Sequence, residues 1–429
     1  MLHELLARRD FRAFALANIV ERVAAAAVTV LIGFQVYELT RNPLDLGWLG
    51  LVEAVPGVTL VLYGGHIADR QSRRRLVIAS AACLAVLTAG IAAASAMPGL
   101  PRAALLTTLF ATAFLSGVAR AFEGPAAAGL EAQVVPAEHA VRGAALLSTS
   151  GRVADVLGPV IGGFAWTAVG GAATYGAMAV LFAAATIITA VGVREQPLLH
   201  VVDTGQSAWR EIGDGVSYVF RDEVLVGSMA LDLFAVFFGG ATALLPVFAT
   251  DILHTGATGL GVLRASIGAG SLLAAALATR YLPERRAGAA LFWVIAGFGV
   301  SIVVFGLSRS LLLSVVALVV AGLCDGTSMV IRRAILRLAS PEHMRGRIAA
   351  VKSVFVGSSN EIGAFESGLL ASWLGTVPAV WSGGVVTLLV VAATAVLAPR
   401  LRRLDLVALA GLPADPAHAV LAEASARPG

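Results

Sequence analysis

The chain has 429 residues, of which 58% are apolar and only 14% are charged. A water-soluble domain carries roughly 25% charged residues, so this composition excludes an ordinary soluble protein. The formal net charge of +4 is small, and no nucleic-acid partner is expected. Instead, apolar runs recur at the length of about 20 residues that a hydrocarbon core of roughly 30 Å requires of a helix.

Hydropathy predicts two sets of six membrane helices. The first set lies at 11–37, 47–68, 75–97, 103–132, 140–166 and 171–193. The second set lies at 224–250, 259–281, 287–308, 311–335, 345–372 and 376–398. The sequence therefore predicts an all-α integral membrane protein with twelve transmembrane helices in two six-helix halves.

The predicted organisation has an N-terminal half at 1–193, a cytoplasmic linker at 194–223, a C-terminal half at 224–403 and a tail at 404–429. Apolar residues recur at helical spacing in the linker, at Trp209, Ile212, Val216, Val219 and Phe220. This spacing indicates an amphipathic helix at the membrane interface, and a plain polar linker is the alternative. The tail is rich in alanine and proline and is expected to be partly disordered.

Arginine placement predicts the orientation of the chain. If there are twelve spans, one side of the membrane receives Arg8, Arg9, Arg12, Arg70, Arg73, Arg74, Arg75, Arg280, Arg285, Arg286, Arg337, Arg345, Arg347, Arg400, Arg402 and Arg403. The opposite loops carry only Arg41, Arg102 and Arg309. Positive residues favour the cytoplasmic side, so both termini are predicted in the cytoplasm. A bacterial inner membrane is the expected location.

Several classes of function are disfavoured by what the sequence lacks. Lys352 is its one lysine, and it does not follow the glycine-rich run of a nucleotide-binding loop. Cys83 and Cys324 have no Cys or His neighbour at metal-binding spacing. We therefore expect neither an enzyme nor an ATP-driven pump, with no catalytic residues, metal or cofactor.

The loop between the second and third predicted spans reads GHIADRQSRRR at residues 65–75. This segment closely resembles motif A of the major facilitator superfamily. The resemblance implies a cytoplasmic gate formed by Gly65, Asp69, Arg70 and Arg73 that latches onto the start of span eleven near 345–347. Glycine in this motif is expected to let two helices approach. A merely positive cytoplasmic loop is the alternative.

The fourth predicted span contains Arg120, Glu123 and Gly124 at the spacing of motif B of the same superfamily. Residues three apart share a helix face, so Arg120 and Glu123 are predicted to pair. The resemblance implies a role for the arginine in proton transfer. An ion pair that only fixes helix packing is the alternative.

The fifth predicted span resembles motif C, which the superfamily associates with export by antiport. The match rests on Gly158, Pro159, Gly162 and Gly163. Gly158 and Gly162 form a face of small residues, and Pro159 is expected to bend the helix. A close-packing face without a transport role is the alternative.

The second half of the chain resembles the enterobactin exporter branch of the superfamily. The matching segments are 232–235, 259–264, Asp325 with Arg332 and Arg333, 345–347, 359–361 and 365–368. The resemblance extends over nearly all of residues 8–400. It implies a secondary active transporter with its substrate site between the two halves.

Charged residues inside the predicted spans are expected to be paired or to line a polar path, because each costs roughly 2.5–3.5 kcal/mol at mid-bilayer. The candidates for proton coupling or for the cavity are Glu21, Arg22, Arg120, Glu123, Asp155, Asp232, Asp325, Glu361 and Glu366. Arg152 and Asp155 are expected to form a fixed pair. Glu53, Arg264 and Glu366 are expected nearer the outer face. No such residue falls on spans three, six, nine or twelve, which indicates a polar path through the other spans.

The leading hypothesis is a proton-coupled antiporter that exports a small organic molecule, such as a siderophore, by alternating access. A multidrug exporter and a lysophospholipid flippase are the alternatives, and a non-transporting membrane sensor is a fourth. Protons, the small-molecule substrate and membrane lipids are the expected partners of a monomer.

Overall fold

The computed structural model describes residues 5, 7–197, 217, 220, 222–238, 240–281, 285–340 and 345–409. Within these ranges the chain forms helices, turns and no strands. Nine of the described helices are long and apolar enough to cross a membrane. The chain is therefore an all-helical, multi-span membrane protein.

The first six long helices follow the predicted spans closely. They are α1 (Arg9–Thr40), α2 (Pro43–Arg70), α3 (Arg73–Ala96), α4 (Arg102–Val134), α5 (Ala140–Val169) and α6 (Gly171–Gly192). Their boundaries have local causes. Asn42 Oδ1 accepts a hydrogen bond from Leu44 N at 3.1 Å, and Pro43 occupies the first helical position of α2, where its missing N–H costs nothing.

The remaining long helices occupy residues 223–397. They are α7 (Glu223–Phe238), α8 (Gly256–Tyr281), α9 (Ala287–Leu307), α10 (Leu311–Ala339), α11 (Arg345–Leu374) and α12 (Thr376–Leu397). Two short helices follow, Pro399–Arg402 and Leu406–Leu409. The nine apolar helices do not include α5, α7 or α11. Of these three, α7 has only 16 residues, whereas α5 and α11 carry charged and small polar side chains along their length.

The prediction of one continuous span at 224–250 was wrong. Helix α7 ends at Phe238, and the chain continues through short helical segments at Gly240–Thr242 and Leu245–Val247 and a π-helical turn at Phe248–Ile252. The sequence explains the interruption, because it places consecutive glycines at 239–240 and Pro246 shortly after them.

Two predictions fall on parts of the chain that are not described. The interfacial helix predicted around 209–220 lies outside the described residues, apart from Ser217 and Phe220. The tail from residue 410 onward also lies outside them.

The helix packing repeats along the chain. Helix α1 packs on α5 and α6, α2 on α4, and α3 on α4 and α6. The same pairs recur six helices later, with α7 on α11 and α12, α8 on α10, and α9 on α10 and α12. Between the two sets, α5 packs against α8 and α2 against α11. We call the end of the bundle that carries Asn42 the outer end, and the opposite end the arginine-rich end.

Glycines make the closest of these contacts possible. A Cβ at Gly64 would meet the backbone of Ala121, so α2 and α4 touch there. A similarly close contact between α8 and α10 lies at Gly322 on α10, where a Cβ would meet Ile267 O. Small residues at helix contacts are the usual solution in a membrane, because packing replaces the hydrophobic effect as the attraction.

Candidate translocation cavity

A cavity of about 1520 Å³ lies inside the helix bundle. Its walls come from α1, α2, α4, α5, α8, α10 and α11 and from the interrupted stretch at 242–246. Helices α3 and α9 contribute only Leu84 and Phe298 to the described lining. The charged lining residues are Glu21, Arg22, Glu53, Arg120, Glu123, Glu131, Asp155, Arg264 and Asp325. Many of the charges that the sequence places inside helices therefore face one common space.

Two carboxyl groups meet in the wall formed by α1 and α4. The side chains of Glu21 and Glu123 are in hydrogen-bonding contact. Glu21 is only 6% exposed, and no N–H or O–H of the described residues donates to its Oε1. The positive charge of Arg22 attracts both carboxyl groups. Gly151 leaves room for this guanidinium, because a Cβ on Gly151 would lie 3.1 Å from Arg22 Nη1.

Arg120 makes no ion pair with Glu123 within 4 Å, contrary to the prediction from their spacing, although its charge still acts on Glu123. Its Nη1 lies 2.9 Å from Glu53 Oε1 on α2, and its Nη2 donates to Thr29 Oγ1 on α1 at 3.1 Å. A spacing of three residues puts two side chains on one face but does not decide which neighbour satisfies them.

A buried ion pair joins α7 to α10. Arg332 Nη1 lies 2.7 Å from Asp232 Oδ1, and both side chains are almost fully buried, with 6% and 7% exposed. Arg332 Nη2 lies 3.9 Å from Asp325 Oδ1. Asp325 lines the cavity, whereas Asp232 and Arg332 are not among its described lining residues and lie behind the wall.

Arg152 and Asp155 do not form the expected fixed pair, since no ion pair joins them among the described residues. Arg152 Nη2 instead lies 3.9 Å from Met329 Sδ on α10, and its charge acts on Asp325. Asp155 is exposed to the cavity. Helix α5 thus presents its carboxylate to the interior while its arginine reaches α10.

Two of the residues predicted for proton coupling or for the cavity, Glu361 and Glu366, lie on α11. The side chain of Glu361 lies outside the described part of the structure. Glu366 is half-buried, accepts a hydrogen bond from Ser367 Oγ at 3.4 Å and is not among the described residues that line the cavity.

The motif A segment forms the tight turn between α2 and α3. Arg73 Nη2 lies 3.3 Å from Asp69 Oδ1, and Arg73 Nη1 donates to Gly129 O on α4 at 3.4 Å. Arg74 donates to Ala190 O and to Val193 O, where it satisfies free carbonyls at the C-terminal end of α6. The turn is thus tied to its own set of six helices, and Arg70 is exposed.

The helix approach expected at Gly65 is made by its neighbour. A Cβ on Gly65 would meet nothing within 4 Å, whereas one on Gly64 would meet the backbone of Ala121. One residue turns a helix by about 100°, so the neighbouring position faces a different helix. The side chains at 345–347, the predicted partners of the turn, lie outside the described part of the structure.

The motif C glycines lie on two faces of α5. A Cβ at Gly158 would come within 2.6 Å of Val23 O, and one at Gly162 within 3.0 Å of Ala27 Cβ, so both positions pack on α1. Gly163 faces the other way, against the backbone of Ala257 on α8. Pro159, whose carbonyl meets Gly261 on α8, also lines the cavity.

A cluster at the outer end, which the sequence reasoning missed, joins the two sets of helices. Tyr37 Oη donates to Asp251 Oδ2, and Arg41 Nη1 lies 2.8 Å from Asp251 Oδ1. Arg41 has a left-handed backbone with φ of 53° and lies over the Tyr37 ring at 5.8 Å. We call Tyr37, Arg41 and Asp251 the outer latch. The sequence showed only that Arg41 is one of the few arginines in the loops predicted at that end. Nothing in the sequence linked Arg41 to Asp251, which lies 210 positions further along the chain.

A multi-span helical bundle around a charged cavity has the architecture of a membrane transporter and not of an enzyme. The family model described as "Transmembrane secretion effector" matches residues 4–427. The chain belongs to this family of major facilitator superfamily transporters.

Known proteins resemble the chain along most of its length. The Enterobactin exporter EntS of Shigella boydii serotype 18 is 23% identical over 375 residues, which cover 87% of this chain and 88% of that protein. A POT family transporter in complex with 5-aminolevulinic acid aligns with a TM-score of 0.70 at 12% identity, covering 92% of this chain and 97% of that one. A D-xylose-proton symporter aligns with a TM-score of 0.70 at 13% identity, covering 92% and 99%. At such identities the two solved structures establish the fold alone.

Proposed function

We propose that the protein is a proton-coupled exporter that exchanges inward-moving protons for a small organic molecule by alternating access. It works as a monomer in the inner membrane of a bacterium. It has twelve transmembrane helices, with six in residues 1–193, six in residues 224–403 and both termini in the cytoplasm. The repeated helix packing supports the two halves, and the distribution of arginines supports the orientation.

The position of the outer latch supports the alternating-access part of the proposal. The latch joins α1 to the π-helical turn after α7, so it closes the outer end between the halves. The cavity extends from Leu46 near that end to Glu131 and Ala144 near the arginine-rich end. We assign this arrangement to a state closed on the outside. Export requires the latch to open while the motif A turn, with Asp69 and Arg73, closes the cytoplasmic side.

The observation that carries the proton coupling is the contact between Glu21 and Glu123. Two carboxylates at hydrogen-bonding distance repel each other when both are ionised, so the pair is most stable with one shared proton. It borders a cavity large enough for a solute, and Arg22 lies beside it. A cation or an arginine that moved toward the pair would displace the proton. Because binding of the cargo and binding of the proton then compete, the flux of cargo is coupled to the flux of protons.

The name of the relative, an enterobactin exporter, supports a siderophore as a candidate cargo. The lining does not favour a lysolipid, because its charges are spread along the whole cavity and not gathered at one end. Glu361 stays a candidate for proton coupling. The motif C residues are proposed to form the surface on which α5 moves against its neighbours, and they are Gly158, Pro159, Gly162 and Gly163.

The test is proton movement in vesicles that contain the purified protein and a lumenal pH dye. We expect an imposed pH gradient to be dissipated when a transported compound is added. Glu21→Gln and Glu123→Gln each remove one titrating group, and each is expected to lower this coupled flux at least about tenfold. Substrate-driven exchange at equal pH should persist in both variants.

Glu195→Gln is the matched control, because Glu195 pairs with Arg75 at the surface, at 2.8 Å. Its coupled flux should equal that of the wild-type protein. Full coupled flux in both Glu21→Gln and Glu123→Gln would remove this pair from the mechanism.

A further inference from the structure

The cavity has more acidic than basic groups. Among the described lining residues, six are carboxylates and three are guanidinium groups. Three further charged residues, Asp232, Arg152 and Arg332, lie close to Asp325. When they are added to the count, carboxylates still outnumber guanidinium groups. A shared proton on Glu21 and Glu123 removes only one of these negative charges.

Two of the three described basic groups of the wall face acidic ones, which reduces the positive charge available to an anionic cargo. Arg120 forms an ion pair with Glu53, and Arg22 acts on Glu21, Glu123 and Glu131. Asp155, in contrast, has no ion-pair partner among the described residues and is exposed to the cavity. Glu131, nearer the arginine-rich end, also has no described ion-pair partner within 4 Å.

The remaining wall is mainly apolar, with Phe14, Val28, Ile32, Leu49, Val58 and Phe298 among its members. A space of about 1520 Å³ is far larger than an inorganic ion needs, and it exceeds the roughly 300–1,000 Å³ of a usual small-molecule site. Glu21 borders the same space with only 6% of its surface exposed, and no described residue donates a hydrogen bond to its Oε1. The wall therefore combines apolar surface with carboxyl groups, of which Asp155 and Glu131 have no ion-pair partner among the described residues.

We infer that the cargo is an organic cation, an amine or onium group on an apolar scaffold, and that Asp155 is the carboxylate that holds its charge. This inference rests on the proposed transport function. Asp155 lies on α5 at the contact with α8 and near α10, where Arg152 reaches Met329 and Asp325. A cation held there touches both halves, and Glu131 raises its local concentration on the cytoplasmic route.

The test compares two ions of the same shape and opposite charge, tetraphenylphosphonium and tetraphenylborate. We would measure binding to the full-length protein by tryptophan fluorescence, with protein-free micelles subtracted. The cation should bind at least about tenfold more tightly than the anion. Asp155→Asn should weaken cation binding about tenfold, whereas Asp155→Glu should retain it and Asp45→Asn, outside the cavity lining, should change nothing.

A second arm separates this inference from the transport function. Each ion, and the catechol acid 2,3-dihydroxybenzoate, is added to vesicles under a pH gradient. Proton movement driven by the phosphonium and lost in Asp155→Asn supports the inference. Proton movement driven by the borate or the catechol acid but not by the phosphonium overturns the inference and leaves proton-coupled export standing. If none of the three moves protons and none binds, both proposals fail.

Discussion

At the scale of single residues, the charges inside the bundle differ in how they are neutralised. Asp232 and Arg332 neutralise each other at 2.7 Å with almost no exposure. Glu53 and Arg120 lie at 2.9 Å in the cavity wall, where 25% and 40% of their side chains are exposed. The first pair has lost its water, so removing one partner leaves a charge with nothing to solvate it. The second pair keeps access to water in the cavity.

We therefore predict that Asp232→Asn destabilises the protein far more than Glu53→Gln does. The expected losses in unfolding free energy are about 3 kcal/mol for Asp232→Asn and about 1 kcal/mol for Glu53→Gln. Thermal unfolding followed by tryptophan fluorescence measures both. Asp232→Asn combined with Arg332→Gln should recover part of the loss, because no unpaired charge remains. Equal losses in the two single variants would mean that the Asp232 site is as well hydrated as the cavity wall.

At the scale of elements, α5 is the helix that meets both halves. Gly158 and Gly162 face α1, whereas Gly163 faces α8. The α5–α8 contact is tight, because Gly163 and Gly261 each face the backbone of the other helix. A contact of this kind stabilises one arrangement of the halves and is sensitive to any added atom.

A methyl group at Gly163 is accordingly predicted to force α5 away from α8. Gly163→Ala should lower the unfolding free energy by about 1–3 kcal/mol. Gly176→Ala on α6 is the control, since a Cβ there meets nothing within 4 Å. That change should be neutral or stabilising by up to about 1 kcal/mol, through helix propensity. A tolerated Gly163→Ala with an unchanged unfolding temperature would show that the two helices separate readily.

At the scale of the whole molecule, the outer latch is one of the described polar contacts that link the halves at the outer end. The hydroxyls of Thr167 and Thr258 also meet there, at 2.8 Å between α5 and α8. Arg41 and Asp251 have 54% and 43% of their side chains exposed, so their ion pair by itself is worth at most about 1 kcal/mol. The hydroxyl of Tyr37 adds a second contact to the same carboxylate. A weak latch suits a transporter, because a strong one would trap it in one state.

We predict that Asp251→Ala shifts the population toward a state open on the outside. The expected change in the ratio of states is about fivefold, which corresponds to ~1 kcal/mol. Spin labels at Asp45→Cys and Ser310→Cys, in a variant without Cys83 and Cys324, report the distance between the outer ends. Arg102→Gln, an exposed outer arginine outside the latch, is the control and should leave the distance distribution unchanged. An unchanged distribution in Asp251→Ala would mean that the other contacts between the halves close the outer end without the latch.

Much of the molecule follows from local sequence. Apolar runs of membrane-spanning length placed the helix boundaries within a few residues, because burial in lipid depends on each segment's own composition. The expectation that charged residues inside helices line a polar path also came from local sequence, because the bilayer disfavours an unpaired charge. Glu21, Glu53, Glu123, Asp155 and Asp325 line the cavity. The break after Phe238 was missed because hydropathy does not register a change of backbone conformation within an apolar run.

The partners of those charges were decided only in three dimensions. Spacing along one helix predicted Arg120 with Glu123 and Arg152 with Asp155, yet Arg120 pairs across to α2 and Arg152 reaches α10. The sequence by itself determined that this is a multi-span membrane protein with a charged interior, because that depends on which residues lipid tolerates. Only the tertiary structure decided that Glu21 meets Glu123 and that Asp251 meets Tyr37 and Arg41, because a side chain in a helix bundle is satisfied by the neighbouring helix that packing brings within reach.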